Sequence, residues 1–188
     1  MKKVVLALIA IVTFSFVGNA QNLRANFLKG KSQQQIVETF DKLTTNEKDA
    51  LWLEKVNQMI TQKLPSENLN LLQKVKTFIS EKNVEGMKDV ANNLALITPE
   101  TDFLKMFESL EDYNYSGKFI GSTKVSDLIL SDLKTLGSPS TNQNTGKMQC
   151  SCRWCIGMGD VGSNCSGGGG YGCGFLWLQS CTHCISCR

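Results

Sequence analysis

The sequence predicts an all-α N-terminal region of five to six helices followed by a small, loop-rich, disulfide-stapled C-terminal domain. Three observations lead there. Apolar residues recur three or four apart between Ile36 and Ile79, the period of one buried helix face. All eight cysteines lie between Cys150 and Cys187, and none precedes them. The stretch from Cys150 to Arg188 also holds nine of the sixteen glycines and a single acidic residue, Asp160, so it has little material for a core. A segment of about 40 residues needs disulfides, a metal or a partner to hold one structure. One part of the chain therefore folds by burying side chains, and the other relies on its cysteines.

The first twenty residues read as a secretory signal peptide. Lys2 and Lys3 give a positive start, Val4 to Val17 is an uncharged, mostly apolar run, and Gly18-Asn19-Ala20 places small residues before a cut between Ala20 and Gln21. The competing reading is a membrane anchor. The run is shorter than the roughly 20 residues a span needs, and polar Asn19, Gln21 and Asn22 close it. The residue directly after the cut is Gln21 and not a cysteine, which argues against a lipid anchor. The expected location is secreted or periplasmic. Thiols oxidise there, so Cys150, Cys152, Cys155, Cys165, Cys173, Cys181, Cys184 and Cys187 read as a disulfide framework. Their spacing does not choose a pairing.

Residues 21–136 form the helical domain. Between 21 and 149, sixteen Lys and Arg balance sixteen Asp and Glu, so nothing points to nucleic acid as a partner. Helices are expected at about 32–43, 46–63, 67–81, 84–96, 99–112 and 123–136. Ile36, Phe40 and Leu43 mark the first; Leu51, Leu53, Val56, Ile60 and Leu64 the second; Leu71, Leu72, Val75, Phe78 and Ile79 the third. Thr44-Thr45-Asn46-Glu47 fits a capping box. Pro65-Ser66-Glu67 breaks one helix and caps the next, and Thr98-Pro99-Glu100 puts proline at a first helical position. Gly86 sits near a turn between Lys82 and Met87, and Asn114 to Lys124, with Gly117 and Gly121, reads as a loop. Phe40, Trp52, Phe78, Phe103, Phe107 and Leu110 are the natural core. The region has no histidine, no carboxylate cluster with metal spacing and no phosphate-binding glycine loop. Catalysis and cofactors are not expected.

Gly137 to Gly146 contains no large apolar residue, and residues 137–149 are expected to be a flexible linker open to a processing protease.

Four readings compete for the tail at 150–188. Cys152/Cys155, Cys181/Cys184 and Cys184/Cys187 have zinc-site spacing, but an oxidising compartment competes for the thiolates. Cys152-Arg153-Trp154-Cys155 has the spacing of a thiol–disulfide exchange pair, without the βαβ context such a site needs. Cys181, Cys184 and Cys187 repeat at three residues, but no fourth ligand follows with ferredoxin spacing. The lone histidine, His183, reads as an exposed turn residue rather than a ligand. A disulfide-stapled exported peptide with no metal fits best. In so small a scaffold Phe175-Leu176-Trp177-Leu178, the tail's only strong apolar run, is expected to be partly exposed as a target-contact patch. The alternative is that Leu176 and Trp177 pack over the disulfides. Arg153 and Arg188 against Asp160 leave the tail nearly neutral, unlike strongly cationic antimicrobial peptides.

Cys150-Ser151-Cys152, Gly172-Cys173-Gly174 with Trp177, the Cys181 and Cys184 pair, and the total of eight cysteines resemble the fulvocin C-related bacteriocin family. Its members are exported, cysteine-rich bacterial precursors. Leu43 to Leu53, with Lys48 and Leu51-Trp52, is similar to the upstream region of its longer members. The late Cys187 and the run Gly167 to Gly170 depart from the family pattern, so pairing is not carried over. The resemblance implies a non-enzymatic precursor with a helical pro-domain and an antibacterial tail acting on a target-cell membrane or envelope component. An exported interaction module with a permanently attached tail is the alternative.

Overall fold

The computed structural model describes residues 23–134, 136 and 171–180. Among the described residues there are seven α-helices: α1 (Leu23–Leu28), α2 (Gln33–Asp41), α3 (Thr45–Ile60), α4 (Ser66–Glu81), α5 (Val84–Ile97), α6 (Glu100–Phe107) and α7 (Asp127–Leu133). The all-α character expected of the N-terminal region holds. Far along the chain, β1 (Tyr171–Cys173) pairs antiparallel with β2 (Gln179–Ser180) around a short 3-10 turn, Phe175–Trp177.

Local chemistry sets the helix ends. Thr44 caps α3 as expected: its hydroxyl accepts from the Glu47 N–H, and the Glu47 carboxylate accepts from the Thr44 N–H at 2.8 Å. Ser32 and Gln35 form a second such box on α2. At Pro65 and Pro99 the expectation needs correction. Each proline is itself the residue flanking the helix, and neither helix start carries a side-chain cap. Thr98 instead accepts from the Asn68 side-chain amide at 2.9 Å, tying α5's end to the first turn of α4. Gly86 lies within the first turn of α5, close to the turn at Lys82 as expected, and donates to the Asn83 side chain. A Cβ there would meet the Phe78 ring at 2.8 Å, so the glycine admits that ring.

α1 was not expected. Arg24 is buried within it and anchors the helix against α3 and the turn after α6. α6 ends at Phe107, five residues short of expectation, and side chains from elsewhere take carbonyls at and beyond its end. α7 starts at Asp127 rather than 123. The stretch Asn114 to Lys124 is irregular, as its composition predicts.

The helices stack in order, α4 packing on α3 and α5, and α7 on α5. Their apolar faces share one core: Phe40, Leu51, Trp52, Val56, Leu72, Val75, Leu94, Phe103, Met106, Phe107 and Leu133 are all buried. Of the six residues expected in the core, only Phe78 is half-buried. Phe175, Leu176 and Trp177 belong to that same core.

Candidate functional site

Four aromatic side chains form the cleft that takes the tail segment. Phe40 comes from α2, Trp52 from α3, and Phe103 and Phe107 from successive turns of α6. In each helix the residue sits on the buried stripe that its 3.6-residue period defines.

Two tail rings fill the cleft. Trp177 meets Phe40 edge-on at 4.7 Å between ring centroids and Trp52 at 5.6 Å. Phe175 lies 4.6 Å from Phe107 and is stacked at 5.9 Å on Phe103. These separations and angles suit attractive edge and offset contacts between rings. Phe175, Leu176 and Trp177 are 0%, 2% and 1% exposed. The Trp177 indole N–H donates to the Glu108 carbonyl oxygen at 2.8 Å, which satisfies the only polar atom of its side chain.

The segment reaches this position through an unusual backbone. Gly174 has φ 75 and ψ −166, a region essentially closed to residues with a Cβ. Leu176 and Trp177 follow with φ 52 and 53. A left-handed residue that is not glycine costs about 1–2 kcal/mol. Burying each of the three large side chains contributes about 1.5–3 kcal/mol. Burial outweighs the strain, so the cleft imposes the bent shape.

The turn after α6 is the polar wall of the site. Lys55, 0% exposed, donates from Nζ to the carbonyl oxygens of Lys105 (2.9 Å), Ser109 (2.6 Å) and Glu111. Arg24 donates to the Leu110 carbonyl and pairs with Asp112. Gln58 and Gln62 donate to the Tyr113 carbonyl at 2.8 and 2.9 Å. The Tyr113 hydroxyl donates to Asp102 at 2.7 Å, and Asp102 also accepts the Gly121 N–H at 2.8 Å. Buried Arg24 and Lys55, with the half-buried amides of Gln58 and Gln62, thus bond the carbonyls of the turn that follows α6. They hold Glu108 where its carbonyl meets the indole.

Two ionisable groups here are strongly perturbed. Burial, reinforced by the Arg24 charge and opposed by Asp112 and Glu111, lowers the Lys55 ammonium to about 7. Burial, reinforced by the Glu100 charge, raises the Glu108 carboxyl to about 8. One Glu108 carboxyl oxygen is buried without a partner, consistent with an acid that stays neutral near pH 7.

The apolar run Phe175–Leu178 was expected to be partly exposed, and the structure divides it. Phe175, Leu176 and Trp177 are interior, and Leu178 alone, at 38%, is exposed. The tail has little core of its own, so its apolar run uses the core of the helical domain. Trp177 packs on Phe40 and Trp52; the alternative packing over the disulfides involves cysteines outside the described residues. Cys173 lies in β1. Cys150, Cys152, Cys155, Cys165, Cys181, Cys184, Cys187, the Ala20/Gln21 cut and the linker at 137–149 lie outside the described residues. Among the described residues no group of three or more His, Cys, Asp or Glu is placed to hold a metal. No helix among them is long and apolar enough to cross a membrane.

Sequence reasoning missed Lys55, Arg24, Asp102 and Glu108. For Lys55 a signal existed: it falls between Leu51 and Met59 at four-residue spacing, a lysine inside an apolar stripe. Asp102 stands likewise four residues before Met106. Glu108 carries no such mark. No protein-family model, curated protein or solved structure matches this chain.

Proposed function

We propose that the chain is an exported, non-enzymatic precursor of a disulfide-rich, bacteriocin-like antibacterial peptide. The tail is the active part, and the helical region is the pro-domain that sheathes it. The burial of Phe175, Leu176 and Trp177 under α2, α3 and α6 carries this reading. An apolar run suited to a membrane interface would endanger the producing cell if it were exposed during export. Seating it inside a helical domain removes that hazard until the tail is freed. The eight cysteines support a tail that keeps its shape through four disulfides once outside the cytosol. The partners are a processing protease and a membrane or envelope component of the target cell.

The same burial favours a second reading, an exported interaction module whose tail stays attached because it completes the core. Intact-mass analysis of the culture supernatant, followed by growth inhibition with the separated tail, decides between them. The precursor reading expects a species of about 40 residues, as the tail length dictates, lighter by eight hydrogens than its reduced form and inhibitory to growth. A lone species running from Gln21 to Arg188, or a released tail without effect on any tested strain, overturns it.

A further inference from the structure

We infer that the helical domain is a receptor for the tail, recognising Phe175-Leu176-Trp177, and that it holds the tail non-covalently after the connecting chain is cut. The inference deepens the precursor reading by naming the partner of the freed tail, which is the chain's own helical domain.

The contact has the properties of a binding site and not of two covalently tethered neighbours. The cleft is assembled from four residues on three helices, all far from the tail in sequence. It encloses three consecutive side chains almost completely. It reads one of them by direction, through the indole N–H to Glu108 hydrogen bond. It also fixes a backbone bend, Gly174 to Trp177, that the segment would not adopt unaided. Buried aromatic anchors in desolvated pockets, with Trp foremost, are where binding energy concentrates. The polar wall is held by groups outside the tail, namely Lys55, Arg24, Gln58 and Gln62, and none of its bonds draws on the docked segment.

The cysteine distribution makes the inference testable without ambiguity. Every cysteine lies between Cys150 and Cys187. No disulfide within one molecule can therefore join the tail to the helical domain. Once the backbone is cut, whatever holds the two parts together is the non-covalent contact.

The recognition sequence of a site-specific protease would replace Thr141-Asn142-Gln143-Asn144 in the full exported chain. The folded, oxidised product would be cut and run on size exclusion, with both fragments followed by mass. Co-elution of tail and helical domain through dilution to micromolar concentration is expected. Separation of the cut fragments overturns the inference. In the same format Trp177→Ala should weaken retention by at least about a hundredfold, the effect of deleting a buried Trp anchor. A Trp177→Ala chain that remains helical by circular dichroism and still keeps its tail overturns the assignment of the anchor. If Trp177→Ala does not fold, Trp177→Phe decides. It fills most of the cleft but loses the N–H, and about tenfold weaker retention is expected; unchanged retention overturns the assignment. The readout is binding alone. A retained tail that kills nothing would sink the antibacterial reading and leave the receptor standing, and a lethal tail that separates freely would do the reverse.

Discussion

The indole N–H of Trp177 donates to the carbonyl oxygen of Glu108, joining residues 69 apart in sequence at the centre of the aromatic core. That bond links the tail to the turn that ends α6, and Lys55 holds the same turn from behind. Tail docking and the stability of the helical domain are therefore one quantity in the intact chain. Trp177→Ala removes a side chain packed on Phe40 and Trp52 and leaves a buried carbonyl unserved. A loss of about 3–5 kcal/mol is expected. Urea denaturation of the full chain followed by circular dichroism at helical wavelengths checks this. An unchanged midpoint would mean that the helical domain does not use the tail segment as core.

The perturbed pair near the turn predicts an uncommon pH profile. Glu108 titrates near 8 in the folded chain and near 4.5 when unfolded. Between those values the folded state binds the extra proton, so stability falls as pH rises through this window. Lys55 titrates near 7 folded and 10.5 unfolded. Across that window the unfolded state binds the extra proton, so stability rises with pH. The two limbs meet as a minimum between pH 7 and 8, each with a slope of at most about 1.4 kcal/mol per pH unit. Melting temperatures from pH 5 to 10 test it. Glu108→Gln should flatten the acid limb and Lys55→Met the alkaline limb, each leaving the other in place.

Lys55→Met should also cost stability outright. It removes the Nζ donor shared by the part-buried carbonyls of Lys105, Ser109 and Glu111. A loss of about 1.5–3 kcal/mol is expected, the scale for hydrogen bonds to a charged group. Amide hydrogen exchange should show faster exchange in Glu108 to Tyr113 than in α4. Exchange that accelerates equally in both segments would mean that Lys55 does not act through the turn.

Most of the helical architecture was legible because it rests on local rules. The apolar stripes of α3 and α4 and the Thr44–Glu47 box need only neighbours in sequence. What stayed hidden depends on distant partners. Beyond Phe107 the carbonyls of Ser109, Leu110 and Glu111 are bonded by Lys55 and Arg24, which come from other helices. α1 exists because Arg24 finds Glu54, Leu110 and Asp112. The apolar run at Phe175 was legible as an interaction segment, since so poor a core cannot bury it. That its cleft lies in the same chain was not legible, because the walls come from Phe40, Trp52, Phe103 and Phe107, each of which reads simply as core.

Asp102 supplies a further check on the polar wall. Its two oxygens accept separate donors, the Tyr113 hydroxyl and the Gly121 N–H, and it is 0% exposed. Asp102→Asn keeps the size but offers one acceptor oxygen for two donors. About 1–3 kcal/mol should be lost. Tyr113→Phe alone should cost less, about 1 kcal/mol, and a double-mutant cycle should show coupling between the two. Additive effects would mean that the hydroxyl bond carries no stability.

Gly174 offers the sharpest test of the bent docking segment. Its φ of 75 with ψ −166 is open to glycine and strained for any residue carrying a Cβ. Gly174→Ala removes no ring of the cleft and sets the backbone preference just before Phe175 against the bend. Free of the cleft, the substituted segment relaxes into an extended form at no cost. Docked, it carries about 1–3 kcal/mol of strain. The melting temperature of the intact chain should fall accordingly, and after cleavage of the connecting segment the tail should be retained about five- to a hundredfold less tightly. Leu178→Ala, at a position 38% exposed beside the same segment, should change neither measurement by much. If the two substitutions behave alike, the segment docks through its side chains with a backbone free to vary, and the bend at Gly174 to Trp177 is not what the cleft selects.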